Sequence, residues 1–462
     1  MIISKMIKRK LPLNNNKIIV KKNSKKNSPL SRVNLPIWLQ SLANRLKRNF
    51  HGSDKSQLNV FKIMESLLAK RKRVILLIST IFFLALILSL IIFINTKYNQ
   101  IAFQSFSGNQ ESSVNIYANK NQNILFVNFK RSIDGSNQFA EFITLISYNK
   151  ITNNLNTLAI EPKLLAYYKG KAYTLETLIN NINENAETKS TKFIAIIEDI
   201  MGIRIDAYLF SDNQLYGEFI KAKNFSLQLN ESFKTSNKFY KSGDSIFGDD
   251  LLIYLNINDS EEELKSYLLR NNIFVTNILQ NNRNIFFSLG SFIDSSIFTS
   301  TFKTNLSKDN AMRFYSDIFY NSNLPITREY ISLRDGYMIN TAFGEALVVN
   351  QIDIERKVQN LFRDLDVVKE QARIEVLNGS SVSGLASVVK KIIQNSGGNV
   401  VNSGNYPVSE AETTLYIIDS NIANYSNTVA FIKSLYPNLK IADNVYKYNK
   451  LGNLILVLGN NQ

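Results

Sequence analysis

The sequence contains no cysteine, which excludes disulfides, Cys-ligated metal and thiol catalysis. Its one histidine, His51, excludes a Ser-His-Asp triad elsewhere and any His-rich metal site. Acids are nearly missing from one stretch. Residues 1–73 hold 19 Lys and Arg against only Asp54 and Glu65, a net of +17. The whole chain carries +16, so the rest sums to −1 (16 minus 17). One arm therefore carries the basic character, and the body is electrically ordinary. With 45% hydrophobic and 20% charged residues, the 462-residue chain can form ordered cores. Its length allows two or three domains of about 100–200 residues.

Charge is absent again from Val74 to Ile94, 21 residues in which Ser79, Thr80 and Ser89 are the only polar side chains. A helix absorbs hydroxyls by bonding them back to its own carbonyls. At 1.5 Å per residue the run spans roughly 31 Å, close to the hydrocarbon core of a bilayer. This predicts a transmembrane helix over 74–94. The run is too long and starts too late for a cleaved signal peptide, and no small-residue cleavage site follows. Lys70, Arg71, Lys72 and Arg73 flank one end, so the positive-inside rule predicts a cytoplasmic arm and an external 95–462. An external part without cysteine fits a bacterial envelope.

The composition of residues 1–34 predicts disorder. In residues 35–50, Leu35, Trp38, Leu39, Leu42, Leu46 and Phe50 recur at helical spacing, with Gln40, Asn44, Lys47 and Arg48 opposite. A basic amphipathic helix beside an anchor is expected to lie on the anionic inner leaflet. Such an arm could also meet nucleic acid, but no recognition motif or aromatic interleaving is present, so nucleic acid is not an expected partner. A cytoplasmic partner stays open.

Beyond the membrane run, 95–121 is polar and reads as a stalk. Strands are predicted at 123–128, 141–149, 156–160 and 205–210. Helices are predicted at 193–202, 261–280 and 308–320. Such interspersion argues an external α/β domain over 122–349. Residues 350–371 form a charged helical connector. Residues 372–462 form a second, small α/β domain: strand Arg373 to Leu377, a turn at Asn378 and Gly379, a helix from Ser383 to Asn395, strand 413–419, a helix near 424–435 and strand 453–459.

The segment IEVLNGSSVSGLASVVKKIIQNSGGNVV, with the late LILVLG, closely resembles the C-terminal domain of LytR-type cell-envelope proteins, over about 371–460. Residues 120–350 resemble a diverged LytR-CpsA-Psr domain through landmarks in order: NILFVNFKR, AEFITLIS, LAIEPK, IMGIRIDAYLFSD, GDDLLIYLN, YLLRNNIF and TFKTNLS. The resemblance implies transfer of polyprenyl-pyrophosphate-linked glycopolymer onto peptidoglycan, with Mg²⁺ and arginines on the pyrophosphate and an apolar pocket for the lipid. Those glycans, peptidoglycan and other envelope proteins are the expected partners.

The chain departs from that family where the chemistry lies. Lys130 stands at its first acidic position, and Glu141 at its Ala-Asp position, where it could still ligate Mg²⁺. The Pro-Arg-Asp stretch reads Glu161, Pro162, Lys163, and Tyr-x-Arg reads Tyr254, Leu255, Asn256. In the Arg-x-x-Arg helix Tyr267 replaces the first arginine, Arg270 keeps the second, and Asn271 and Asn272 replace two glutamines. A lysine would not supply the bidentate fork of an arginine. Two readings follow. One is a binding or scaffold protein of wall assembly whose catalytic apparatus has degraded, with no cofactor. The other is a working phosphotransferase using Glu141 for Mg²⁺ with Lys163 and Arg270.

Asn378, Gly379 and Gly384 lie between a strand and a helix start, where an anion could sit. The plainer expectation is that Gly379 turns the chain and Gly384 permits close helix packing. The adjacent acids Glu198 and Asp199, Asp249 and Asp250, and Glu261 to Glu263 are expected to be solvated. Tyr167, Tyr168 and Tyr173 could stack on sugar, though most aromatics of 120–350 are expected in the core.

Overall fold

The computed structural model describes residues 55–100, 104–105, 120–134, 136–235, 238–257, 261–281, 299–320, 324–418, 422–443 and 451–461. The predicted disorder of 1–34, the amphipathic helix of 35–50 and His51 lie outside them. The described chain divides into two units, which part at residues 87 and 88. Among the described residues one helix, α1 (Lys55–Gln100), is long and apolar enough to cross a membrane, over Ala69–Thr96, with none of that window buried. Val74 and Ile94 are both exposed there, as lipid-facing residues are. Thr80 donates to the Leu76 carbonyl, four residues back, as expected of a hydroxyl in an apolar helix. The chain is thus a single-pass α/β protein.

The larger domain is built on six strands: β1 (Asn121–Arg131), β2 (Gln138–Asn149), β3 (Asn154–Ile160), β4 (Ala207–Asp212), β5 (Phe302–Thr304) and β6 (Ile326–Ile331), in the order β5-β4-β1-β2-β3-β6. The pairs β1–β4 and β3–β6 are parallel; the other three are antiparallel. Strands covered on both faces read as unbroken apolar runs, and these do. Ile124, Phe126, Phe142 and Ile146 face one layer, while Leu125, Val127, Ile143 and Leu145 face the other. The second layer holds α2 (Leu175–Asn181) and α3 (Ala186–Met201). The first layer holds α4 (Asn213–Ala222), α5 (Gly248–Asn256), α6 (Glu261–Asn281) and α7 (Lys308–Tyr320). Of the predicted stalk, Gln104 bridges Lys303 on β5, its carbonyl accepting the Thr304 N–H at 2.8 Å.

The connector is two helices, α8 (Gln351–Phe362) and α9 (Leu365–Glu370), broken where Asp364 caps the second. It is no exposed tether. Ile354, Val358, Leu361 and Phe362 complete the core around α2 and α3.

The small domain has five strands, β7 (Arg373–Asn378), β8 (Asn399–Asn405), β9 (Thr414–Ile417), β10 (Lys440–Asp443) and β11 (Leu454–Leu458), ordered β8-β7-β11-β9-β10. Helices α10 (Leu385–Asn395) and α11 (Ser426–Leu435) cover one face over its own core. Helix α10 starts two residues after the predicted Ser383, because Gly384 caps it at φ +78°. A Cβ there would meet nothing within 4 Å, so the expectation of close packing at Gly384 is overturned; the left-handed backbone is what calls for glycine.

Side chains of the small domain and of the connector satisfy helix ends at the joint. Helix α3 ends at Gly202 (φ +61°), and Asn395 of α10 donates to the Met201 and Gly202 carbonyls at 3.0 and 3.1 Å. Lys391, one turn earlier, donates to the Asp199 carbonyl at 2.6 Å. In return Glu370 accepts from the N–H groups of Asn427 and Thr428 and from both side chains, at 2.6–2.9 Å, at the start of α11. The free carbonyls of one helix and free amides of another are each satisfied from across the joint.

Candidate functional site

The pairing of β1 with β2 slips at one point. Asn128 faces Phe142 but Phe129 faces Ala140, which leaves Glu141 as the extra residue of a β-bulge. Bulges re-aim a side chain and often border functional sites. The Oε2 atom of Glu141 is buried with no hydrogen-bond partner. Burial pushes this carboxyl up, Lys130 pulls it down and Glu176 pushes it up.

Beside it, at the end of β3, stands Glu161, only 2% exposed. Its Oε1 accepts the Lys163 N–H at 3.3 Å, while its Oε2 is buried without a partner. Burial pushes this carboxyl up to about 7, against the pull of the Lys163 amide and ammonium. Glu176, in the first turn of α2, is raised by burial as well, with Lys163 and Lys130 pulling down. An acid directly after an unbroken apolar strand, Leu158-Ala159-Ile160-Glu161, was the signal in the sequence that Glu161 would be buried.

A bare buried carboxylate oxygen is a ligand for a hard cation. Yet burial moves both acids toward the neutral form, and among the described residues no three His, Cys, Asp or Glu gather to hold a metal.

Arg270 is turned away from this edge of the sheet. It lies on α6, 7% exposed. One guanidinium nitrogen, Nη2, donates to the Ile257 carbonyl at 2.5 Å, just past the end of α5, and Nη1 lies 4.0 Å from Glu231. The guanidinium sits 5.0 Å from the centre of the Tyr254 ring, whose hydroxyl donates to Glu231 at 3.3 Å. The arginine braces α5 against α6.

One turn back, Tyr267 occupies the place of the other family arginine and is 3% exposed. Its hydroxyl donates to the Glu141 carbonyl at 3.0 Å, and its ring stands edge-on to Phe142 at 6.3 Å. Burial holds this phenol well above its usual range, with Glu141 and Glu161 adding to the rise and Arg270 opposing it. Asn271 donates to the carbonyls of Leu255 and Tyr267, and Asn272 to that of Glu329. Every polar residue of this helix motif thus ties α6 to a neighbouring element.

Lys163 is half-exposed, 3.7 Å from Glu345, and its carbonyl accepts the Leu347 N–H. Of the three predicted catalytic or metal residues, Glu141 is one of the buried acids and Lys163 borders them, while Arg270 meets Ile257, Glu231 and Tyr254. In the core on the α6 side of the sheet, aromatic rings pack on one another. Phe126 packs on Phe142 and Tyr216 at 6.0 and 5.7 Å, Phe219 on Phe302 at 5.2 Å, and Phe225 on Phe274 at 5.9 Å. Of the tyrosines read for sugar stacking, Tyr173 is buried under Phe343 at 4.4 Å and Tyr168 bonds Glu184, while Tyr167 is exposed.

The loop after β7 satisfies its own donors. The Gly379 amide goes to the Leu458 carbonyl, and the Ser380 amide to Asn378 Oδ1. The Ser381 amide goes to Asn460, and the Val382 amide to Ser380 Oγ. Asn378 closes the loop by donating to the Val382 carbonyl. The amides of residues 379–382 are thus already engaged within the domain.

Two of the acids expected in solvent are not there. Glu198 accepts the Ile205 N–H at 2.7 Å and is largely covered, because α3 lies against the small domain. Asp250 accepts from Tyr240 at 2.5 Å. Asp249 is exposed beside Lys221.

Residues 371–461 match the family model described as LytR cell envelope-related transcriptional attenuator. The C-terminal domain is thus of the LytR C-terminal type. No curated protein matches the chain. Among solved structures, the chain is similar to TagU of B. subtilis, at 15% identity over 52% of this chain and 96% of that one, TM-score 0.40. It is also similar to a transcriptional regulator from Enterococcus faecalis, at 14% identity over 62% and 92%, TM-score 0.42. TagT bound to LIIa-WTA is a third, at 13% identity over 55% and 98%, TM-score 0.39.

Proposed function

We propose that this is a membrane-anchored envelope protein, with its basic arm in the cytoplasm and both domains outside. In this reading the larger domain keeps a LytR-CpsA-Psr-like frame without its transfer chemistry, and the protein binds or scaffolds wall polymer. The observation that carries the reading is Arg270. A pyrophosphate leaving group needs fork-shaped cationic donors, and the one arginine kept from the motif is buried against Tyr254 with a donor on the Ile257 carbonyl. In the resemblance Tyr267 stands where its partner would be, and it is buried as well.

The competing reading, an active glycopolymer phosphotransferase, has one observation in its favour: the unpartnered oxygens of Glu141 and Glu161. The full-length protein in detergent, given a polyprenyl-pyrophosphate-linked glycan, Mg²⁺ and peptidoglycan, separates them. Retention on the wall polymer without transfer is the expected outcome. Metal-dependent transfer that disappears in Glu141→Gln, with melting unchanged, would overturn the scaffold reading.

A further inference from the structure

Beside the capped joint of the two domains opens a cleft of ≈ 450 Å³. One wall is aliphatic: Leu385, Val388, Val389 and Ile392 of α10, with Leu435 of α11. Opposite stand Glu198 of α3 and Arg204, which follows that helix. The phenol of Tyr436, the amides of Asn438 and Asn461 and the side chain of Thr413 line it as well.

The charged pair has capacity to spare. Both contacts of Glu198 fall on Oε1, the Ile205 N–H at 2.7 Å and Arg204 Nη1 at 3.5 Å. Arg204 meets Glu198 through one of its five N–H donors' nitrogens, and its side chain is half-exposed. Burial pushes the Glu198 carboxyl up, while Arg204 and the Ile205 amide pull it down. Burial also holds the Tyr436 hydroxyl up, so a neutral phenol lies close to both charges.

We infer that this cleft binds a free α-amino acid with an aliphatic side chain, its ammonium on Glu198, its carboxylate on Arg204 and its side chain against α10. The charges select the class. Two opposite charges 3.5 Å apart match a ligand whose own opposite charges sit on one carbon, and a peptide separates its termini further. The aliphatic wall offers no partner to a polar side chain, which would lose its water there. The cleft's size and its place between domains are those of small-molecule sites. The mutual caps of α3, α10 and α11 fix both walls, so little ordering is left for binding to oppose. The cleft shares no residue with the polar cluster around Glu161, so this inference stands independently of the scaffold reading.

Titration of the full-length protein with leucine, read by calorimetry and by thermal shift, tests it. Saturable binding is expected. N-acetylleucine, leucinamide and leucyl-leucine should each bind at least about tenfold more weakly, the cost of leaving a charged partner unmet. Glu198→Gln and Arg204→Gln should each weaken leucine by a similar factor, and Val388→Trp should abolish binding with the circular dichroism spectrum unchanged. Absence of binding at about 10 mM leucine, far above any specific affinity, would overturn the inference. So would equal affinity for leucine and N-acetylleucine, which would mean an apolar pocket indifferent to charge.

Discussion

The end of β3 and the joint between the domains each place a glutamate against neighbouring elements, and they treat it in opposite ways. Glu161 receives a single backbone amide on one oxygen and nothing on the other, so its burial favours the protonated acid. Glu370 receives four donors from Asn427 and Thr428. Although desolvation pushes the Glu370 carboxyl up, those hydrogen bonds outweigh it and hold the carboxyl below its usual range. A carboxylate hydrogen-bonded at a helix N-terminus stabilises the fold, whereas a buried one at a strand end with a bare oxygen weakens it unless it holds a proton. The first position serves assembly. The second stores a cost of the kind found at functional or relict sites.

The sharpest way to break the joint is Gly202→Val. A Cβ at Gly202 would lie 2.5 Å from Asn395 Nδ2 and from Lys391, on a backbone at φ +61°. Strain and overpacking together should cost about 4 kcal/mol. Chemical denaturation should show the loss, and a variant within error of the wild type would mean that the domains do not press on each other at Gly202.

Next in size is Glu161→Gln. Burial pushes the folded carboxyl up to about 7 from its ordinary 4.5. With the folded value raised, the native state binds the extra proton. This group's contribution is therefore fully present below pH about 4.5 and is lost as pH rises through about 7, a change of about 3 kcal/mol. The glutamine variant should be more stable than wild type at pH 8 by about that amount and lack this slope. A variant no more stable at pH 8 would show that Glu161 is paired or solvated.

Glu370→Ala should cost about 2 kcal/mol, as the loss of a helix cap does. Its pH dependence runs the other way: a lowered folded pKa gives stability present above the unfolded value and lost as pH falls through the folded one. Measured from pH 3 to 8, the two glutamates should tilt the stability curve in opposite senses. Parallel slopes would dissolve the contrast between the two places.

Much of the frame was legible from local pattern. Continuous apolar runs such as Ile124–Val127 mark strands buried on both faces, and the Gly-ended helix of the small domain follows from its turn residues. The chemistry of the site was less legible. Glu141 reads as an ordinary strand residue, and only the pairing of β1 with β2 makes it the bulged one. Arg270 reads as a catalytic cation, and only the packing of α5 against α6 turns it inward. Glu198 reads as solvated, because the small domain that covers it lies far along the chain. The same distance hides the role of Gly202, whose carbonyl is met by Asn395, 193 residues away.

The sequence by itself determined where the basic arm lies, that an uncharged helix long enough for a bilayer follows it, and that two α/β domains come after. These depend on charge counts and periodicity, which neighbours in the chain supply. The tertiary structure alone decided which acids are buried, which arginine is packed into the core, and how side chains of α10 come to meet the end of α3 in the other domain. A side chain's charge is set by the groups and water within a few ångströms of it, and most of those groups come from distant parts of the chain.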